Sequence, residues 1–350
     1  MKNKIQKLNI KGFTKFIDTQ DIEFCNGINV FIGTNGVGKT HLLKLLYLIT
    51  KSIKNQQFNE NLKENLKNFF KTDLLSSLIS KFSEQDNANV NLLGFEKEFW
   101  FDFKSDESLE TSVLNDLNLT DLNPVYIPPQ EMLSTYLEFI PFYEKYKTGY
   151  EQFYYDLAKS LMQLELKSID ENFLKISEII EKSITGKLSK EREHFYLNYK
   201  FGKIEAKIEA SLLAEGIKKI SVVDYLIKSG SIDKNSVLFW DEPEVHINPR
   251  LISVLTDIIK LTANEGVQIF LSSHDHLLTQ QISLLDEYRA TSKMPIPEIK
   301  FFVLKESLSG ETLIECGNNL TDLQYNPILE EYLSQHDKEQ NLFNLSISEL

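Results

Sequence analysis

The sequence predicts an α/β fold in which helices cover a parallel sheet within one domain of 350 residues. The apolar segment 28–32 has the length and composition of a buried strand, and a glycine-rich turn and an apolar helix at 41–49 follow it. The last third of the chain contains three further predicted strands and one helix: strands 236–240, 267–271 and 299–304, and helix 250–263. Alternation of buried strands with helices is typical of α/β domains.

Other segments predict additions to this core. Apolar residues alternate with period two in 4–10 and again in 194–209, where Gly202 marks the turn of a hairpin. A predicted helix at 213–228 ends before Gly230, since glycine favours the position after a helix. Shorter strands are predicted at 99–103 and 125–127. We predict a helical insertion over 51–95, with a flexible stretch near 85–89, and an aromatic-rich helical lobe over 131–190.

Composition excludes several classes of protein. Hydrophobic residues make up 42% of the chain and charged residues 25%, which is typical of a globular protein and not of a disordered one. No apolar run approaches the roughly 20 residues that span a bilayer, so we expect no membrane insertion. Cys25 and Cys316 are too few for a disulfide framework or a zinc site. These features predict a cytoplasmic location.

The charge balance bears on nucleic-acid binding. The formal net charge is −13, which opposes binding of a polyanion by the whole surface. Five lysines nevertheless crowd the first fifteen residues: Lys2, Lys4, Lys7, Lys11 and Lys15. They form either a local basic patch or the solvated faces of an edge strand and its turn.

The strongest chemical signal is a glycine-rich loop between the strand at 28–32 and the following helix, with the pattern G-x-x-x-x-G-K-T. Glycines let the backbone curl so that its N–H groups point at phosphate oxygens, and the helix adds its positive N-terminus. In such a loop Lys39 reaches the β- and γ-phosphates and Thr40 ligates Mg²⁺. The predicted nucleotide-binding residues are Gly33, Asn35, Gly36, Gly38, Lys39 and Thr40.

A second signal is the apolar strand at 237–240, which ends in two carboxylates. Asp241 is the predicted ligand in the Mg²⁺ shell, directly or through water. Glu242 lies one residue beyond it and is the predicted general base that polarises the attacking water. The sequence therefore predicts catalysis of ATP hydrolysis at the carboxyl end of this strand.

The residues that follow carry a resemblance to a known family. The run D-E-P-E-V-H-I-N-P at 241–249 resembles the D-E-P-E-x-H-L-H-P segment of SMC/RecF/OLD-like ABC-type ATPases, with Asn248 in place of a second histidine. The resemblance implies a P-loop NTPase, an ABC-type ATPase head with an antiparallel β subdomain and an inserted helical lobe. In that family the segment continues into a D-loop that crosses a dimer interface.

The same resemblance assigns further residues. His274 follows a strand in the position of the switch histidine that contacts the γ-phosphate, with His276 as a second choice. Gln130 or its neighbour Glu131 occupies the place of the Q-loop residue that touches Mg²⁺ or its water, and we favour Gln130. The signature helix, whose N-terminus meets the γ-phosphate bound by the other subunit, begins with Ala214, Glu215 and Gly216.

These motifs occur in the order found in ABC-type ATPases, which predicts an ATPase with ATP and Mg²⁺ as its cofactors and a homodimer that forms on ATP binding. The chain after His274 is short for a TOPRIM nuclease domain, so the expected partner is a separate effector protein, within bacterial anti-phage defence. The alternative is a RecF/SMC-like repair ATPase that binds DNA. The lobe at 131–190 is either an effector-binding face or a stub replacing the SMC coiled coil.

Overall fold

The computed structural model of the protein describes residues 4–56, 58–82, 86–112, 119, 121–146 and 149–348. The strands are β1 Ile5–Lys11, β2 Gln20–Glu23, β3 Ile28–Gly33, β4 Asn87–Gly94, β5 Lys97–Lys104, β6 Leu109–Thr111, β7 Asn123–Ile127, β8 Gly186–Glu191, β9 His194–Phe201, β10 Ile204–Glu209, β11 Ser236–Asp241, β12 Gln268–Ser273, β13 Ile299–Glu306 and β14 Thr312–Gly317. The helices are α1 Lys39–Lys54, α2 Phe58–Phe70, α3 Tyr136–Tyr146, α4 Gln152–Met162, α5 Glu171–Ser183, α6 Glu215–Lys228, α7 Pro249–Asn264, α8 His276–Glu287 and α9 Pro327–Ser348.

A six-stranded sheet in the order β14-β13-β3-β12-β11-β7 forms the centre of the molecule. Its strands are parallel except for β14, which pairs antiparallel with β13 at one edge. Every residue of β3, β11 and β12 is buried, which explains why their sequences are mainly apolar. Helix α1 packs against β3, β7, β11 and β12, and α7 packs against β3 and β12. The predicted α/β core is confirmed.

A second, antiparallel sheet has the order β2-β1-β4-β5-β6 and corrects the predicted insertion. Residues 51–95 were predicted to be helical; α2 and a 3₁₀ turn at Leu75–Leu78 agree, but Asn87–Gly94 is the central strand of this sheet. Ala88, Val90 and Leu92 are buried and alternate with asparagines, which is the alternation of a strand with one buried face. The asparagines led to the prediction of a loop instead. Of the predicted flexible stretch, Gln85 lies outside the described residues and 87–89 are strand.

The predicted lobe at 131–190 is helical in α3, α4 and α5, and ends in β8 instead of a helix. Strand β8 pairs with β9, which pairs with β10 in the predicted hairpin at Gly202. Polar contacts attach the lobe to the P-loop helix α1 through α4 and the residue that precedes it. Lys44 forms an ion pair of 3.0 Å with Glu151, and the Tyr47 hydroxyl donates to Asp156 at 2.9 Å.

Most aromatic residues of the lobe form its core. Six of them are buried: Tyr136, Phe139, Tyr143, Phe153, Tyr154 and Phe173. The Phe153 ring lies 4.4 Å from the ring of Tyr126 in β7, which joins the lobe to the central sheet. Three others, Phe142, Tyr146 and Tyr150, are exposed.

Helix α9 follows β14 and was not predicted from the sequence. Only its first part touches the body, where the Tyr332 ring lies 4.5 Å from the ring of His276 at the start of α8. Its other apolar side chains, such as Leu333 and Phe343, are largely exposed. None of the described helices combines the length and apolar character that crossing a membrane requires.

Phe153→Ala is expected to lower the free energy of unfolding by about 3–5 kcal/mol, because it empties the contact between lobe and sheet. Phe153 is 2% exposed, whereas Phe142 on the same lobe is 45% exposed. The matched change Phe142→Ala is therefore expected to cost less than about 1 kcal/mol. Urea unfolding followed by circular dichroism measures both. Equal losses would contradict the described packing of the lobe.

Candidate functional site

The glycine-rich loop joins β3 to α1 at the carboxyl edge of the central sheet. Gly36 and Gly38 have φ angles of 83° and 103°, in the left-handed region that other residues adopt at a cost. A Cβ on Gly36 would meet nothing within 4 Å, so the backbone there faces open space. Helix α1 begins at Lys39 and directs its N-terminus into the loop. The loop therefore has the backbone geometry of a phosphate cradle.

The Lys39 ammonium lies within this loop. It donates to the carbonyl oxygens of Gly33 at 2.7 Å and Thr34 at 2.9 Å. Burial lowers the pKa of Lys39, although the nearby carboxylates of Glu242 and Asp241 act in the opposite direction. Two carbonyl oxygens thus hold the ammonium inside the loop, where it can also donate to a phosphate oxygen.

Asp241 is a buried carboxylate that accepts from three hydroxyl groups. Thr40 Oγ1 lies 3.2 Å from Oδ1, the Tyr126 hydroxyl lies 3.1 Å from Oδ2, and the Ser272 hydroxyl also donates to Oδ1. Burial raises the pKa of Asp241, and these hydroxyl donors partly offset that rise. The structure thus brings two of the three predicted metal-site residues, Thr40 and Asp241, into contact across 201 residues. A hydroxyl and a carboxylate oxygen are donors that Mg²⁺ prefers, so the donor set fits this metal.

The two residues predicted to act in catalysis are neighbours. Nδ1 of His274 lies 3.3 Å from Oε1 of Glu242, and both side chains reach solvent. The backbone of Glu242 is left-handed, with φ of 48°, and its N–H donates to Ser272. His276 instead stacks on Tyr332 of α9, which leaves His274 as the histidine next to Glu242.

Glu244 positions the histidine segment and was missed by sequence reasoning as a functional residue. Its Oε1 accepts from the backbone N–H of His274 at 3.1 Å and from the Ser273 hydroxyl at 2.8 Å. Burial raises the pKa of this carboxyl group. The carboxylate thus ties the strand end of β12 to the loop after β11.

Gln130 and Glu131, the two candidates for the Q-loop residue, have different surroundings. Glu131 forms an ion pair of 3.3 Å with Lys218 and accepts from the N–H of Ser134 at 3.2 Å. Gln130 is exposed three residues beyond β7, which is the neighbour of β11 in the sheet. Gln130 is therefore the one of the two whose side chain is turned outward near the site.

The predicted signature helix is α6, and its start contacts the loop after Asp241. Ala214 and Glu215 are exposed, whereas Gly216 is buried. A Cβ on Gly216 would lie 2.7 Å from the carbonyl oxygen of His246, so a glycine is needed for this close approach. Ala214 and Glu215 can therefore meet a ligand with their side chains, and Gly216 only with its backbone.

Two buried lysines of α6 reach the neighbouring loops, and neither was predicted to act in this way. Lys219 donates to the carbonyl oxygens of Glu242 at 2.6 Å and Val245 at 3.4 Å. Lys218 pairs with Glu215 at 3.0 Å as well as with Glu131. Burial lowers the pKa of Lys219 to about 8, despite the carboxylates nearby.

A family model described as "AAA domain, putative AbiEii toxin, Type IV TA system" matches residues 28–279, which is most of the chain. The protein belongs to this AAA-domain family. No curated protein matches the chain in sequence.

Solved structures establish the fold of this family member. The SMC head domain from Thermotoga maritima is 14% identical with a TM-score of 0.51, over 89% of this chain and 98% of that one. The Smc head with a coiled coil and joint from Pyrococcus yayanosii is 11% identical with a TM-score of 0.52, over 89% and 96%. An SmcHead bound to the C-winged helix domain of ScpA is 14% identical with a TM-score of 0.53, over 92% and 99%. The predicted SMC/RecF-like, ABC-type ATPase head is confirmed.

In this AAA-domain protein, Lys219→Met is expected to loosen the loop after β11, because two backbone carbonyls lose a charged donor worth about 1.5–3 kcal/mol each. Amide exchange at Val245 and Ile247, which are hydrogen-bonded within that loop, should rise at least about tenfold. Lys218→Met is the matched control and should instead raise exchange near Ser134, whose N–H bonds Glu131. Hydrogen exchange with mass spectrometry measures both. The same pattern from both variants would contradict the separate roles.

Proposed function

We propose that the protein binds Mg-ATP, hydrolyses it to ADP and phosphate, and closes head to head with a second copy when ATP is bound. One observation carries the proposal. Lys39, Thr40, Asp241 and Glu242 come from distant parts of the chain and converge at one edge of the central sheet, beside the phosphate cradle. Their chemistry is that of phosphoryl transfer from a nucleotide.

In the proposed reaction, Lys39 and the loop's N–H groups hold the β- and γ-phosphates, while Thr40 and Asp241 hold the metal. Mg²⁺ held by these two residues would supply positive charge that offsets the charge of the phosphates. Glu242 accepts a proton from water as the water oxygen bonds to the γ-phosphorus, and ADP leaves with the electron pair of the broken bond. His274 contacts Glu242 and keeps this carboxylate oriented at the rim of the site.

A dimer is proposed because the N-terminus of the signature helix α6 is exposed. The exposed residues Ala214 and Glu215 stand at the N-terminus of α6, where free N–H groups favour an anion. A second copy can place its nucleotide against this terminus, which would complete each site with a residue from the other chain. Similarity to ABC-type heads supports this arrangement.

Lys39→Ala is expected to weaken ATP binding at least about 100-fold, because it removes the ammonium within the phosphate cradle. Glu242→Gln should bind ATP with nearly unchanged affinity and lose hydrolysis about 100-fold or more, since the amide cannot accept the proton. Binding of a fluorescent ATP analogue and release of phosphate measure the two effects. Glu265→Gln, at the far end of α7, is the control. Hydrolysis by Glu242→Gln at the unchanged rate would show that Glu242 is not the general base.

Trans pairing predicts the activity of mixed dimers. One subunit carries Lys39→Ala and the other carries Ala214→Asp, which places a charge against the partner's phosphates while remaining a good helix cap. Both lesions then fall in one composite site, so about half the activity should remain. Gly216 is unsuitable for this test because the Cβ of any residue substituted there would collide with the carbonyl oxygen of His246.

The matched control for the mixed dimer puts both substitutions in one subunit and none in the other. Each composite site then contains one lesion, and activity should be lost. Affinity tags on the two subunits isolate each mixed species, and phosphate release per dimer is measured. Equal activity of the two arrangements would contradict trans sites.

We further propose that the closed dimer acts on a separate protein effector in bacterial anti-phage defence, in the cytoplasm. The N-terminal lysines favour this over DNA binding, because Lys7 pairs with Asp21 at 3.3 Å and Lys15 with Glu306 at 2.8 Å. Lys4 donates to the carbonyl of Gly266 and is only partly exposed, whereas Lys11 is exposed. The family's description as a putative AbiEii toxin supports a role in defence, and a head of this fold bound to ScpA supports a protein partner. The RecF/SMC-like DNA-binding reading remains the alternative, with less support from these contacts.

A further inference from the structure

A groove of about 560 Å³ lies between the lobe and the start of α6. We call it the acidic-aromatic groove, after the side chains that define its character: Glu131, Glu138, Glu215, Phe142 and Tyr150. Phe142 and Tyr150 are 45% and 43% exposed, so their ring faces are open to a ligand. Apart from Glu215, which begins the signature helix, the proposed ATPase reaction assigns no role to these side chains.

The charge of the groove is not balanced by its immediate neighbours. Lys218 lies between Glu131 and Glu215, at 3.3 and 3.0 Å, and neutralises one of the two carboxylates. Glu138 is exposed and forms no ion pair with any residue that the structure describes. Carboxylates beside open aromatic faces favour a cation, and a guanidinium suits both, because it can pair with a carboxylate while stacking on a ring.

The position of the groove selects a second copy of this chain as the source of that cation. Gln130, Glu215 and His246 border the groove: Gln130 follows β7, Glu215 begins the signature helix α6, and His246 lies in the loop after β11. The groove therefore opens on the face that would close in the ATP-bound dimer. Two copies of net charge −13 repel each other, so any cation on that face contributes to their approach.

Arg250 is the cation placed to do this. It is exposed in the first turn of α7, four residues after the groove residue His246. Its side chain makes no ion pair within the described part of the chain. In a two-fold dimer a contact between residue i and residue j occurs twice. If the loop after β11 and the groove both lie on the dimer face, the guanidinium of each copy is therefore presented to the groove of the other.

We propose that Arg250 of each subunit inserts into the acidic-aromatic groove of the second copy and pairs with Glu138 there. This rests on the proposed ATP-dependent dimer and names a specific contact that stabilises it. The groove is thus filled only when a second head has closed. The ion pair of Arg250 with Glu138 adds to the contacts that bound nucleotide makes between the two heads.

The experiment measures the dimer dissociation constant of the Glu242→Gln protein with Mg-ATP by sedimentation velocity. Arg250→Glu and Glu138→Arg, each added to that background, are expected to weaken the dimer at least about tenfold, and the two together to restore it to within about threefold. Lys293→Glu is the matched control for net charge, since Lys293 is exposed near the carboxyl end of α7, away from the site. ATP affinity of the monomers should be the same in all variants.

The outcomes separate this contact from the dimer itself. If the Glu242→Gln protein dimerises and Arg250→Glu behaves like Lys293→Glu, the Arg250 contact is overturned while the dimer stands. If both single changes weaken the dimer but the combination does not recover, the pairing with Glu138 is overturned. If Mg-ATP produces no dimer of the Glu242→Gln protein, the proposed function fails and this contact fails with it.

Discussion

Asp241 is a carboxylate at 2% exposure in the middle of the molecule, and removing such a group from water is costly unless hydrogen bonds replace its hydration. Three hydroxyl groups replace it here, and they come from α1, β7 and β12, three elements that are far apart in sequence. Because each donor must stay within hydrogen-bond distance, the P-loop helix and both neighbouring strand ends are fixed relative to β11. The same carboxylate that suits a metal therefore also sets the geometry of the edge on which the nucleotide would bind.

The framework around Asp241 extends to the lobe. Tyr126 directs its hydroxyl to Asp241 and its ring to Phe153 of α4, so one side chain joins this buried carboxylate to the lobe core. Lys44 and Tyr47 of α1 bond to α4 through Glu151 and Asp156. The lobe is thus attached to both the P-loop helix and the sheet. Its orientation therefore depends on the positions of α1 and β7.

The sequence predicted the parts of this arrangement that local pattern controls. Strands β3, β11 and β12 each contain a mainly apolar run, and the glycines and turn residues that follow these runs identify the loop and the two carboxylates. Tyr126, Ser272, Lys218 and Lys219 were not predicted, because their roles depend on partners about 20 to more than 100 residues away that no local pattern names. Strand β4 was missed for a different reason, since asparagines on its outward face resemble a loop.

The loop after β11 shows why closure and catalysis would be one event. Glu242 and His246 both have left-handed backbones, with φ of 48° and 66°, and such conformations cost about 1 kcal/mol or more each unless neighbours enforce them. Helix α6 supplies that enforcement, through the Lys219 ammonium on two loop carbonyls and through Gly216 packed under the carbonyl of His246. The loop cannot relax without breaking these contacts, so it follows α6. A second copy that presses on the N-terminus of α6 would therefore also set the position of Glu242, and the general base would be placed by the same contact that completes the site.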